Sequence, residues 1–109
     1  MAVIAKALVE GQIIPNTDTT VYTSREVTIL DKVTSANYDS VPRTQTISIV
    51  AGGGAVGNAY YIAKHTFASY ETYTWPEVVG QILNSGDYIS VISSNNTGLN
   101  IRISGREIT

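Results

Sequence analysis

The chain has 109 residues, a formal net charge of -2 and no cysteine. That length suits one domain, residues 1–109, and can bury a core without metal or disulfide. Seven basic residues scattered along the sequence make no nucleic-acid stripe, and the lack of cysteine excludes a disulfide, a thiol nucleophile or a cysteine-based metal site.

Val, Ile, Thr and Tyr are abundant, a balance that favours strands. Only 15% of residues are charged, against about 25% in typical soluble domains. Much of the surface is therefore Ser, Thr, Asn, Tyr and Gly, which is cheap to desolvate and suits packing against protein. Lys6 and Glu10 interrupt the apolar start, so no signal peptide is expected. No apolar run approaches the ~18 residues of a membrane span. These features predict a product of the cytoplasm with neither nucleic acid nor membrane as partner.

In chain order, residues 1–15 read as an N-terminal arm or a first strand, and both readings stand. Asn16 to Thr20 is a turn cluster. Glu26 to Thr34 predicts a strand with Val27 and Ile29 on one face and a bulge near Leu30. Ser35 to Pro42 is a polar loop. Thr44 to Val50 alternates, with Ile47 and Ile49 facing one way. Ala51 to Asn58 is a Gly-rich connection, and Tyr60 to Phe67 a strand. Glu71 to Trp75 is a short strand broken by Pro76, and Pro76 to Val79 predicts one helical turn. Asn84 to Asp87 is a turn. Tyr88 to Ile92 is a strand with Ile89 and Val91 inward. Ser93 to Gly98 is a hairpin loop. Leu99 to Ile103 alternates strictly, with Leu99, Ile101 and Ile103 inward. Gly105 predicts a bend before a last strand at Glu107 to Thr109. About eight short strands without an amphipathic helix predict an all-β chain: one antiparallel β-sandwich, with a jelly roll as candidate topology.

No catalytic constellation emerges. Gly52, Gly54 and Gly57 match G-x-G-x-x-G, but a strand-like run follows where a dinucleotide site needs a helix. His65 is the single histidine, and its bland reading is a structural side chain on a strand. No acidic spacing suggests a calcium loop or a paired-carboxylate site. Asn95-Asn96-Thr97 has the form of a glycosylation sequon and reads as loop composition. The sequence therefore predicts no enzyme, cofactor or metal. Tyr60, Tyr61, Tyr70, Tyr73 and Trp75 are the candidate interface residues. Tyrosine gives contact area with few rotors, yet it also packs on sheet surfaces and in cores.

One resemblance is carried by the C-terminal part. Tyr70-Glu71-Thr72-Tyr73-Thr74-Trp75 is followed by Glu77, Gly80, Leu83, Gly86-Asp87 and Ile89-Ser90. The stretch from Ile101 to Thr109, IRISGREIT, completes the pattern. In this order the residues resemble a family of small bacteriophage virion proteins, including capsid decoration (cement) proteins. Tyr70 stands where those proteins usually carry glycine. The resemblance implies a β-sandwich with no activity and no cofactor. It implies a phage structural protein on the capsid exterior that bridges the major coat protein and stabilises the lattice by linkage. Self-association is part of that expectation, a trimer being one form that three-fold sites accommodate. A head-fibre, head-tail connector or tail component is the alternative. A carbohydrate-binding module, stacking sugars on Trp75 and tyrosines, is the alternative from another class.

Overall fold

The structure is a computed structural model and describes residues 2–109. Its strands are β1 (Val3–Ile13), β2 (Thr19–Thr23), β3 (Val27–Ala36), β4 (Arg43–Val50), β5 (Tyr61–Phe67), β6 (Thr72–Thr74), β7 (Ile82–Leu83), β8 (Tyr88–Ser93) and β9 (Asn100–Ile108). One 3-10 turn, Asn58–Tyr60, precedes β5.

Every strand pairing among the described residues is antiparallel. One sheet runs β1-β9-β3-β6, with β7 also on β3; the other runs β2-β8-β4-β5. The first strand pairs with the last, β2 with β8, β3 with β6 and β7, and β4 with β5. A long hairpin rolled on itself gives this nesting, which is the jelly-roll form of the expected β-sandwich. Residues 3–13, open between an arm and a first strand, form β1.

Period-2 alternation builds the core between the sheets. Leu30, Val33, Ile101 and Ile103 come from one sheet, and Ile47, Ala63, Phe67, Ile89 and Val91 from the other. A polar relay crosses the layer. Trp75 Nε1–H donates to Ser35 Oγ at 2.9 Å, Ser35 donates to Gln45 Oε1 at 2.6 Å, and Gln45 Nε2–H reaches Asn100 O at 3.4 Å. Ser35 and Gln45 are wholly buried, so the relay satisfies groups that would otherwise be costly to bury.

Three local expectations change. Thr19 and Thr20, read as turn, begin β2. The strand Ile82–Leu83 had no counterpart in the sequence reading. Gly105 makes no bend: β9 continues through it to Ile108. Pro76 to Val79 makes the single turn expected there, closed by Val78 and Val79 N–H on the Trp75 carbonyl. The expected bulge on β3 is present, as a register shift between Leu30 and Lys32.

Candidate functional site

The predicted interface residues divide. Trp75 is 0% exposed and belongs to the core, which corrects its placement at an interface and removes it as a sugar-stacking platform. Its flanking segment explains why. The Thr34–Thr74 and Ser35–Tyr73 pairs orient the end of β6 inward, and Trp75 N–H then bonds the Val33 carbonyl. Tyr73 is half-buried and stacks on His65, with ring centroids 3.7 Å apart. Phe67 and Trp75 meet the His65 ring edge-on. Tyr60 is half-buried beside the Gly54 backbone. Only Tyr61 and Tyr70 are exposed, and no element brings the five together.

The groups with chemical character are engaged in structure. His65 Nε2 lies 3.2 Å from Glu71 Oε2, while Glu71 Oε1 accepts the Ala68 N–H at 2.7 Å. That backbone donor, and then His65, holds the Glu71 carboxyl below its ordinary pKa. At the far end of the sandwich Glu107 accepts from Tyr22 Oη at 2.6 Å and from Lys6 Nζ at 3.0 Å. Both lower its pKa, whereas burial and the neighbouring Glu107 raise that of Tyr22. Among the described residues no group of three or more His, Cys, Asp or Glu converges as a metal site. In the Gly-rich loop, Gly53 takes a left-handed φ of 81°. Gly52 N–H bonds Asp87, and Tyr88 Oη–H bonds the Gly54 carbonyl. The loop is thus fastened to the Asn84–Asp87 turn, and β5 follows in place of the helix that a phosphate site requires.

Tyr70 is 69% exposed at φ 59°, within a turn closed by Glu71 N–H on the Ala68 carbonyl. A non-glycine residue there carries backbone strain. Tyr70→Gly is therefore expected to raise stability by about 0.5–1 kcal/mol, read as a higher urea midpoint.

The feature sequence reasoning missed lies on the outer face of the β1-β9-β3 sheet. Ile103, Gly105 and Glu107 face inward, so Ser104, Arg106 and Ile108 face out. Val3 and Val27 flank Ile108 across the strands. One step along, Ala5, Arg106, Ile29 and Ile82 form the next row. Val3, Val27 and Ile82 are 56%, 39% and 59% exposed. Arg106, the cation within these two rows, is neutralised by a two-pronged contact with Asp31 at 2.9–3.1 Å, and the exposed Lys32 and Arg102 lie farther along the same face. An open antiparallel face normally presents polar residues to water. Sequence offered one signal, since Val27 and Ile29 are apolar on the face opposite Leu30.

Beside this patch runs the free edge of β1, which among the described residues pairs with β9 alone. Ala2 and Thr109 exchange both backbone hydrogen bonds. Alternation along an antiparallel ladder then points the N–H and C=O of Val3, Ala5 and Ala7 away from β9.

No family model matches the chain, and no curated protein matches it. Among solved structures, a chain from Bacillus endospore appendages, described as a novel family of disulfide-linked pili, is similar at TM-score 0.53. The likeness covers 96% of this chain and 87% of that one at 11% identity, and so speaks for the fold alone. It overturns the expectation of a phage capsid decoration protein on the virion exterior, together with its head-fibre, connector and tail alternatives. That similar structure belongs to a bacterial appendage, not to a phage. The neighbour's pili are disulfide-linked, and this chain has no cysteine with which to do the same.

Proposed function

We propose that this chain is a structural subunit, without catalytic activity, that associates with copies of itself into a surface assembly. The carrying observation is the apolar double row Val3–Ile108–Val27 and Ala5–Ile29–Ile82 on the solvent side of a sheet. Exposed apolar surface of this kind marks contact with protein. The likeness in fold to an appendage protein supports the reading, and so does the low charge. Copies associate through packing and hydrogen bonds alone.

Sedimentation velocity and negative-stain microscopy of the purified chain, from micromolar to millimolar, test this. The expected result is concentration-dependent assembly that reducing agent leaves untouched. Val27→Asp with Ile82→Asp weakens assembly and changes monomer stability by no more than about 0.5 kcal/mol for each exposed substitution. A wild-type chain that stays monomeric throughout overturns the proposal.

A further inference from the structure

Edge strands invite pairing, and proteins usually blunt them. Three of the four sheet edges here are blunted. β2 has five residues and a register shift between Thr20 and Tyr22. β5 carries Lys64 at its centre. The remaining edge is split into β6 and β7, of three and two residues, by the Pro76 turn. The fourth edge differs. From Ala2 to Ala7 the register of β1 on β9 is unbroken, and the bulges begin only after Ala7. The single charge in this stretch, Lys6, lies on the face opposite Ala5 and, though 49% exposed, is neutralised by Glu107 at 3.0 Å, so this edge carries no net charge of its own.

We infer that this stretch of β1 pairs antiparallel with the same stretch of a second copy, Ala5 facing Ala5 across a two-fold axis. The inference rests on the self-assembly reading and gives it a partner and a register. Val3, Ala5 and Ala7 are the residues whose backbone groups point to the free edge. Centred on Ala5, Val3 of each copy faces Ala7 of the other. Each facing pair exchanges both backbone bonds, so the register is self-complementary. Side chains on the outer face of the seam are Val and Ala, small enough to lie flat. On the inner face Ile4 meets the aliphatic stem of Lys6, whose ammonium remains on its own Glu107. Arg106 is the nearest outer cation on each side, and its Asp31 cancels its charge. The joint would fuse the two β1-β9-β3 sheets into one and make their apolar rows a continuous belt.

A cysteine-free chain makes the test direct. Ala5→Cys places thiols on facing residues about 5.5 Å apart between Cα atoms, within disulfide reach. Mild oxidation should convert most of the protein to a covalent dimer, while Thr66→Cys, exposed on β5, should stay monomeric under the same conditions. Ala5→Pro removes an outward donor and leaves the bonds to β9 intact. It should raise the dimer dissociation constant tenfold or more, with the circular dichroism spectrum retained; the cysteine variant decides alone if the proline variant misfolds. Assembly in wild type without an Ala5→Cys cross-link overturns the β1 pairing and leaves self-assembly standing. Absence of any wild-type assembly overturns both.

Discussion

Trp75→Ala is expected to cost about 3–5 kcal/mol of folding stability, the range for removing a buried Trp or Phe. The side chain is wholly buried against Phe67, Tyr73 and the His65 ring. Its removal opens a cavity where the two sheets meet and takes away the donor to Ser35 Oγ. Domains of this kind have about 5–15 kcal/mol in total, so the variant would sit near the threshold of folding. Trp75→Phe keeps most of the ring volume and loses the indole donor, so a cost of about 1–2 kcal/mol follows. Urea unfolding monitored by far-ultraviolet circular dichroism separates the two. An alanine variant within 1 kcal/mol of wild type would contradict the burial of Trp75.

Gly105→Ala is expected to cost about 2–3 kcal/mol, at the upper end of what overpacking does. A Cβ at Gly105 would lie 2.5 Å from the Ile29 carbonyl oxygen and 2.8 Å from Leu8 Cδ1. Leu8 can rotate away. The Ile29 carbonyl cannot, because β3 is fixed between β9 and β7. The entropy gained by replacing a strand glycine, about 0.5–1 kcal/mol, offsets only part of that strain. The melting temperature should drop by roughly 10 °C. Gly57→Ala, extended and with only the Ala55 carbonyl within van der Waals contact, should move it by no more than about 0.5 kcal/mol in equivalent stability.

That second case shows where sequence information ends. A glycine in a strand can mean a bend or a close approach of backbones, and composition does not choose between them. Alternation was legible wherever one face is fully buried: Leu99-Ile101-Ile103, Ile89-Val91 and Ile47 all point inward as their spacing requires. β2 was not legible. Thr19-Thr20-Val21-Tyr22-Thr23 contrasts little between its faces, and its register shift breaks the period. The aromatic residues carried the right type and the wrong depth, because burial of Trp75 depends on which face Ser35 presents opposite Tyr73. The outer apolar rows were the hardest to foresee. Val3, Val27, Ile82 and Ile108 come from four distant strands, and only the register of the finished sheet makes them neighbours.

The pairing of β1 with β9 also sets a timetable for synthesis. At about 5–20 residues per second, the ribosome delivers the last strand roughly 5–20 s after the first. Throughout that interval the segment Val3–Ile13 waits for its strand partner, since among the described residues it pairs with β9 alone. Contacts this distant in sequence belong to topologies that close in milliseconds to seconds once the chain is whole. Nascent chains on one messenger therefore carry unpaired copies of the same sticky strand side by side. A chaperone that masks residues 3–13 until β9 emerges would therefore raise the yield of folded protein.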